Sequence, residues 1–568
     1  MKKYTIALSF LLLGTAVFGQ GVSIGFSEPD PSALFDLTST SKGLLIPRMT
    51  QTQRDLIPVP ALGLTIFQTD GISGYYYFDS TIWKPITTPL GWSFTGNSVG
   101  PADFIGTINN QRLQFRVNNQ KSGSIENKLS FSHGGNTAIG YLAQYNLTTG
   151  YNNTSLGIES LYSNTVGYNN TAIGFRTLYS NTFGLFNTAI GHLSLAENTT
   201  GNENIALGQN ALVDNTTGST NIAIGSFALK SNTSQNNLIA IGDSALYSNQ
   251  GTNNLAIGAR TLLGNIIGKE NIALGTKALY ANTSGDENLA VGDSSLMSNT
   301  IGNKNIGIGA STLRYNTSGN DNIALGKESL TANSIGNDNV SIGSTALNKN
   351  TSGDNNVAIG TSSIHENLTG DHNIGLGNSS LHSNTSGNSN IALGKNALKN
   401  NGVASNNVAI GEGALQLNES QSRLIAIGDS SLFHNQGQGN LAIGSKSLYG
   451  NTSGLTNMAV GNHALFGNTT GNSNLAVGDS SLFSNTDGFR NIGIGAGSLS
   501  SNTIGAINVA IGDAALKINT TGNSNVSVGS KTLSNNVIGS HNTAIGTLAL
   551  NDNISGNTNV AIGSNALT

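Results

Sequence analysis

The sequence predicts an all-β chain in which most residues form a parallel β-solenoid, or β-roll, behind a small mixed, mainly β leader region. Residues 204–208 read Asn-Ile-Ala-Leu-Gly, and residues 221–225 repeat the phrase as Asn-Ile-Ala-Ile-Gly. The closing glycine recurs 26 times from Gly140 to Gly563, at this seventeen-residue interval except in two places where the interval is one residue shorter. Such a short, persistent period is typical of solenoids, in which each unit covers its neighbour's apolar face. The unit is also too short for a strand and a full crossover helix.

Within one unit, large apolar and small residues alternate as they do in a β-strand. Ile205 and Leu207 lie on one face and Ala206 on the other. A second apolar residue follows the glycine by four positions and is Leu in 24 of the 26 units. We expect two short strands per coil, whose large apolar residues meet in a thin core. Gly208 and Gly218 are suited to the two turns.

Two asparagines recur in the repeated unit, as at Asn204 and Asn215. The first is replaced only at Leu238 and Leu424 among the 26 units. Stacked coils place identical residues above one another, so we expect amide ladders along the solenoid axis. Asn tolerates turns and bonds to neighbouring backbone, and a structural role therefore explains both positions.

The small residue in the middle of each predicted strand is Ala, Ser or Gly in all 26 units. A strand position that faces water is expected to vary more widely. One interpretation is tight packing inside the same coil. The other, which the restriction favours, is a line along which identical chains approach each other, with Ala206, Ala223 and Ala240 in a symmetric interface.

The phrase Asn-Ile-Ala-Ile-Gly, followed by Ala-Leu, resembles the head repeats of trimeric autotransporter adhesins, the YadA-like heads, over residues 136–568. The resemblance implies a left-handed parallel β-roll that packs as a homotrimer in a bacterial surface fibre with a role in cell adhesion. The usual unit of that family is shorter than the unit repeated here, so each coil of this chain needs a longer loop.

A secretory signal peptide is predicted for residues 1–19. Lys2 and Lys3 supply a positive start, an apolar stretch follows, and Val17 and Gly19 are small enough for cleavage. No later stretch approaches the length of a membrane-spanning helix. We therefore expect an exported protein that is extracellular, at the cell surface or associated with the outer membrane.

A leader region is predicted for residues 20–92, and all eight prolines lie between residues 29 and 101. Residues 50–53, Thr-Gln-Thr-Gln, form a capping box that predicts a short helix. Residues 63–79 predict a hairpin, with Trp83 packed on it. The run from residue 43 to residue 54 resembles a leader of secreted, tail-fibre-like proteins from Bacteroidetes-type bacteria.

A neck is predicted for residues 93–132, and the repeat region of 26 units for residues 133–568. Within the neck, residues 104–107 and 113–117 are expected to form strands. The chain stops in the middle of a unit at Thr568, without the cap that a solenoid end needs. This predicts that the chain continues or that something else covers the end.

The composition excludes several classes of function. A net charge of −4, with only 10% charged residues, is too small to indicate nucleic acid or an anionic membrane as a partner. The absence of cysteine excludes disulfides, zinc-thiolate sites and a lipidated cysteine anchor.

No catalytic, cofactor or metal site is predicted. Of the eight histidines, His365 and His372 could approach each other across a coil, but a solvated pair is the simpler explanation. Aspartates that follow the repeated glycine lack the pattern of calcium-binding β-rolls and are interpreted as solvated turn residues. They are Asp243, Asp293, Asp429, Asp479 and Asp513.

A second, longer period lies within the repeat region. Residues 288–296 return as residues 474–482, and the two shortened intervals, 242–258 and 428–444, are separated by the same distance along the chain. Because this separation equals eleven units less one residue, a block of eleven coils has been duplicated. Tandem copying of this kind lengthens a fibre and gives no advantage to a catalytic site.

These observations predict an exported bacterial surface fibre that serves binding or display and has no enzymatic activity. Its partners would be copies of the same chain, as a homotrimer, and a host, cell-surface or matrix ligand. The alternative is a structural rod of a tail-fibre-like protein that carries a C-terminal domain beyond residue 568. A solenoid enzyme acting on glycans is disfavoured, because Asp, Lys and Arg do not cluster on neighbouring coils.

Overall fold

The computed structural model of the chain describes residues 22–25, 30–86, 105–108, 111–126 and 134–568. The contacts within the chain divide it between Ile105 and Gly106 into two units. Regular structure in the described residues consists of 34 β-strands and one short helix, so the predicted all-β class is confirmed. The predicted signal peptide lies outside the described residues. None of the helical structure in the described ranges has the length and hydrophobicity to span a membrane.

The first unit contains two small sheets. One sheet is the parallel pair of β1 (Val22–Ile24) and β2 (Phe35–Leu37). The other has four strands, of which the first pair is parallel and the others are antiparallel. In spatial order these strands are β3 (Arg48–Met49), β4 (Thr65–Gln68), β5 (Gly74–Phe78) and β6 (Trp83–Pro85).

The predicted capping box opens the helix of this unit, α1 (Gln51–Asp55). The Gln53 backbone N–H donates to Thr50 Oγ1 at 3.3 Å, and the Thr50 N–H donates to Gln53 Oε1 at 3.0 Å. The predicted hairpin is confirmed as β4 and β5. Trp83 packs on it as expected, with its ring 5.5 Å from that of Phe78.

The second unit begins with an antiparallel hairpin of β7 (Leu113–Val117) and β8 (Gln120–Ile125). This confirms the strand predicted at residues 113–117. Residues 105–107 form no strand, contrary to the prediction, and Phe104 lies outside the described residues. Strand β8 pairs with the first strand of the solenoid and so covers its edge.

Twenty-six parallel strands of three residues each follow, one per coil, and every strand pairs in register with the equivalent residues of the next coil, as Ala206 does with Ala223. The predicted parallel solenoid of 17-residue coils is therefore confirmed. The strands are β9 (Thr137–Ile139), β10 (Thr154–Leu156), β11 (Thr171–Ile173), β12 (Thr188–Ile190), β13 (Ile205–Leu207), β14 (Ile222–Ile224), β15 (Ile239–Ile241), β16 (Leu255–Ile257), β17 (Ile272–Leu274), β18 (Leu289–Val291), β19 (Ile306–Ile308), β20 (Ile323–Leu325), β21 (Val340–Ile342), β22 (Val357–Ile359), β23 (Ile374–Leu376), β24 (Ile391–Leu393), β25 (Val408–Ile410), β26 (Ile425–Ile427), β27 (Leu441–Ile443), β28 (Met458–Val460), β29 (Leu475–Val477), β30 (Ile492–Ile494), β31 (Val509–Ile511), β32 (Val526–Val528), β33 (Thr543–Ile545) and β34 (Val560–Ile562).

The small residue of each strand faces the core, and the large apolar pair faces outward. Ala206 is 0% exposed, whereas Ile205 is 38% exposed and Leu207 is half-buried. The expectation that the pair points inward is therefore wrong. So is the favoured interface along Ala206, Ala223 and Ala240, since all three are buried in their own coils. The other interpretation, tight packing inside the same coil, holds.

The core partner of the small residues is the residue that follows each glycine by four positions, a leucine in 24 of the 26 coils. Leu212 is fully buried, but its φ is +53°, and its backbone therefore cannot belong to a strand. Its N–H donates to Ala228 O of the next coil at 2.9 Å, so the coils stay connected here. The prediction of two strands per coil is wrong: each coil has one strand and a tight left-handed turn. A narrow interior explains the difference, because a leucine and an alanine already fill it.

The predicted asparagine ladders are confirmed, and both are buried. Asn204 Nδ2 donates to Asn187 Oδ1 of the preceding coil at 3.1 Å and to Gly218 O at 2.9 Å. Asn215 Nδ2 donates to Asn198 Oδ1 at 2.9 Å and to the same Gly218 O at 3.0 Å. The Gly218 carbonyl thus connects the two ladders in this coil.

The two glycines of the repeat differ in how strictly they are needed. Gly208 has a φ of +133°, which L-residues rarely adopt, as the predicted turn requires. Gly218 has no such constraint, although a Cβ there would lie 2.4 Å from Asn215 Oδ1 and 2.5 Å from Gln235 O. The chain adjusts to a side chain at this place in three coils, which carry Gln235, Ala404 and Gln421.

Both ladders are interrupted where a coil is one residue short. Leu238 and Leu424 occupy the place of the first asparagine and are fully buried. In the second ladder, the Oδ1 atoms of Asn232 and Asn418 are buried without a hydrogen-bond partner in the described chain. The next asparagine, Asn249, instead bonds Gly251 O, two residues further on, at 2.7 Å. The duplicated block carries one such interruption in each copy.

Candidate interaction surface

Within the described residues, the histidine pair and the aspartates singled out from the sequence take part in ring stacking and in turns. His365 stacks on His382, with ring centroids 5.1 Å apart, and His372 is not its partner. His365 Nδ1 also lies 2.9 Å from Glu366 Oε1. Burial lowers the pKa of His382, and the neighbouring His365 lowers it further. Across the described ranges, no group of three or more His, Asp or Glu side chains is placed to hold a metal ion.

The aspartates that follow the repeated glycine belong to turns. Asp293 Oδ1 accepts the Thr276 backbone N–H at 3.0 Å, and Asp479 Oδ1 accepts the Asn462 N–H at the same distance. Each bond connects one coil to the next. The turn interpretation thus accounts for the hydrogen bonds that these two carboxylates make.

The outward face of the 26 solenoid strands is the most uniform surface of the second unit. We call it the strand face; it consists of the first and third residues of β9 to β34. The third residue is Ile, Leu or Val in every strand, and the first is Ile, Leu, Val, Met or Thr. Along the middle of the solenoid these side chains are all at least partly open to solvent, from half-buried, as at Leu207, to about two-fifths exposed, as at Ile272 (40%) and Ile359 (39%). The result is an uncharged stripe, two side chains wide, that is apolar except for the threonines at the first position of β9 to β12 and β33.

No charged residue lies in any of these strands. The charges of the solenoid lie in the turns, where some of them pair between coils. Arg176 Nε lies 2.6 Å from Glu159 Oε2, and Lys349 Nζ lies 2.6 Å from Glu366 Oε2. Turns exposed to water are expected to carry such residues, whereas an uncharged aliphatic stripe of this length marks an interaction surface.

Two runs of stacked aromatic rings lie on another edge of the solenoid, five residues after the repeated glycine. Their centroids are 5.1–5.4 Å apart and their planes are nearly parallel. The rings therefore stack face to face, and this stacking favours the association of neighbouring coils. These runs were not predicted from the sequence, although their constant offset from the glycine could have revealed them. The runs are Tyr145, Tyr162 and Tyr179, then Phe433, Tyr449, Phe466 and Phe483.

The first unit also exposes apolar surface. Its one buried arginine, among the residues described there, is Arg54, which lies 5.0 Å from the centre of the Tyr76 ring and fixes α1 to the sheet. Large aliphatic side chains around this small core are open to solvent. Those more than 70% exposed are Leu34, Leu45, Leu56, Val59, Leu62 and Ile72.

Comparison with known families bears on this unit. A family model described as "Phage tail like trimerisation region" matches residues 23–101. No curated protein matches the chain, and no solved structure does. The match supports a tail-fibre-like leader in front of the repeat region, and it supports assembly of the chain as a homotrimer.

Proposed function

We propose that this chain is the subunit of a homotrimeric structural fibre, in which the leader gathers three copies and the solenoid supplies length. The observation that carries the proposal is the match of residues 23–101 to a trimerisation region, directly before a solenoid of 26 coils. Exposed aliphatic side chains within the matched range supply surface for such an association.

The length of the solenoid follows from its geometry. Neighbouring β-strands lie about 4.8 Å apart, so 26 stacked coils extend roughly 125 Å. Each coil closes its own core with a small residue and, in 24 of the 26 coils, a leucine. Two amide ladders join neighbouring coils except at the two interruptions. Such an element resists collapse and holds its two ends apart, which is what a fibre requires.

The finer function that we propose is display or adhesion at the surface of a bacterium, after export directed by residues 1–19. The support is the signal-like start of the sequence and the resemblance of the repeat to YadA-like heads. We propose no catalytic activity, because the side chains of the described residues serve the repeat itself. The ligand would be a host, cell-surface or matrix molecule.

The mass of the chain in solution tests the fibre proposal. The chain from residue 20 onward should sediment as three copies, and electron microscopy should show a rod at least as long as the solenoid. A monomer at micromolar concentration would contradict the proposal. For export, the full-length chain should appear on the outside of the producing cell without residues 1–19, and retention in the cytoplasm would refute that part.

A further inference from the structure

We infer that the solenoid opens first at two short coils, which divide it into three segments that unfold separately. We call residues 238–253 and 424–439 the short coils; they carry β15 and β26. The three segments then contain six, ten and eight strands, which are β9–β14, β16–β25 and β27–β34. The inference goes beyond the proposed function, and it holds for one chain as well as for three.

Buried polar groups on both sides of the first short coil have lost their partners. On one side, Asn232 Oδ1 is buried and has no hydrogen-bond partner within the described residues. On the other side, the Leu238 side chain has no oxygen to accept the backbone N–H of Asn254, a residue that is 1% exposed. In a complete coil, the equivalent N–H of Asn271 donates to Asn254 Oδ1 at 2.9 Å. An unsatisfied buried donor or acceptor weakens the contact in which it lies.

The second short coil repeats these losses. Asn418 Oδ1 and Gln421 Oε1 are both buried without a partner in the part of the chain that the structure describes. Leu424 again removes the side-chain acceptor for the backbone N–H of Asn440, which is 2% exposed. The same defect therefore accompanies the missing residue at both levels of the solenoid.

The backbone contacts at the short coils are also weaker than their equivalents elsewhere. The first N–H of each strand donates to the next coil, at 3.1 Å from Ile239 and 3.5 Å from Ile425, whereas the other strands that have a following coil make this bond at 2.8–2.9 Å. In the loop before the first short coil, the Thr216 N–H donates to Thr233 O at 2.8 Å. The N–H groups of Thr233 and Glu419 make no backbone hydrogen bond to the described residues of the short coils.

A glutamine side chain partly bridges each gap. Gln250 Nε2 donates to Ser231 O, and Gln436 Nε2 donates to Leu417 O at 3.0 Å. These glutamines replace the threonine that most complete coils carry at this position. Gln436 is exposed, so water competes for its hydrogen bond. The glutamine is therefore a latch that opens more readily than the buried ladder that it replaces.

The weakened contacts set the boundaries between cooperative segments. The stability of a repeat protein is approximately a sum of terms for single repeats and for contacts between neighbours, so the weakest contacts open first. An opened short coil spans up to about 55 Å, at roughly 3.4 Å per residue, whereas a folded coil adds about 4.8 Å to the solenoid. A fibre under tension would thus lengthen by roughly 50 Å at each short coil while its three segments stay folded.

Hydrogen exchange of the full-length chain, resolved to single amides, tests the inference. We expect the amides of Ile239 and Ile425 to exchange roughly tenfold faster than the amide of Ile323, each relative to its rate in an unstructured peptide. Ile323 is the matched reference, since it has the same strand position in a complete coil and donates to the next coil at 2.8 Å. Equal protection at the three amides would overturn the inference.

A repaired chain provides the second test. It carries Leu238→Asn and one serine inserted after Gln250, which completes the first short coil to the length of the others and leaves the second as an internal control. We expect exchange at Ile239 to slow roughly tenfold and exchange at Ile425 to stay the same. A folded repaired chain in which both amides slow, or neither does, would refute local opening. If the repaired chain does not fold, the wild-type comparison decides by itself.

The separate segments are tested by stretching the protein between its two ends with optical tweezers. We expect two steps of roughly 50 Å before any segment unfolds, and one such step in the repaired chain. Loss of all coils in a single event would overturn the inference. A monomeric mass would contradict the proposed trimeric fibre and leave this inference standing, so the two fail separately.

Discussion

The buried asparagine ladder makes a specific prediction for Asn322→Leu. Asn322 accepts two hydrogen bonds on Oδ1, from the backbone N–H and from Nδ2 of Asn339, each at 3.1 Å. It also donates to Asn305 Oδ1 at 3.1 Å and to Gly336 O at 2.8 Å. Leucine fits this place, because Leu238 and Leu424 occupy it in two other coils and are fully buried.

The magnitude follows from the groups that lose their partners. Gly336 O keeps the hydrogen bond from Asn333 Nδ2, and Asn339 Nδ2 keeps its bond to Gly353 O. The Asn339 backbone N–H is left buried without its acceptor. One unsatisfied buried donor costs about 1–3 kcal/mol. A central value of about 2 kcal/mol corresponds to roughly thirtyfold faster opening of this coil.

Hydrogen exchange of the intact chain, resolved to single amides around residue 339, measures this opening. The control is Asn378→Leu, since Asn378 is exposed in a turn and does not belong to either ladder. We expect exchange at Asn339 to rise about thirtyfold for Asn322→Leu and to stay unchanged for Asn378→Leu. Equal exchange in both variants would refute the view that the ladder stabilises the coil stack.

Three further predictions follow from the coil geometry. Ala324→Lys should unfold neighbouring coils, because Ala324 is 0% exposed in its own coil and burying an unpaired charge costs several kcal/mol. Circular dichroism should show lost structure, and a folded monomer would contradict this. Gly275→Ala should lower the free energy of unfolding, measured with denaturant, by about 2 kcal/mol more than Gly497→Ala does. The reason is that only a Cβ at Gly275 would meet the backbone of the next coil, 2.7 Å away. Equal losses of stability would contradict this. The lowered pKa of His382 means that the folded chain binds this proton more weakly than the unfolded chain. Stability present above pH 6.5 should fall as the pH drops through the folded pKa, and His382→Gln should reduce this fall in Tm.

The period of the sequence predicted the solenoid, the strand before each repeated glycine and both ladders, because each depends only on which residues recur. It did not predict which face of the strand is buried. Alternation places Ala206 on the opposite face of the strand from Ile205 and Leu207, but it does not show which face points into the core. The usual preference for large apolar residues in the core led to the wrong face. The variety of residues at each position indicates the buried face. A position that accepts Ile, Thr and Met is less constrained by packing than one that accepts only Ala, Ser and Gly.

The positive φ of Leu212 and its equivalents could not be predicted either, because a leucine with positive φ is unfavourable in isolation. Leu212 and its equivalents adopt this conformation with their side chains fully buried and their N–H groups bonded to the next coil. The tertiary context thus overrides the local preference of these leucines. The stacked histidines escaped prediction for a related reason: His365 and His382 meet only because each complete coil returns the chain to the same edge.

The inward placement of the small residue explains how this chain could grow by duplication. Nearly every coil completes its own core with a small residue and a leucine, so a new coil needs no compensating change elsewhere. Each coil also presents two uncharged side chains outward, so eleven added coils lengthen the strand face without adding charge to it. The interruptions at Leu238 and Leu424 were copied together with the short coils that accompany them. The second ladder resumes beyond each interruption, where Asn265 bonds Asn249 and Asn451 bonds Asn435, so the same local defect was copied without disturbing the stack on either side of it.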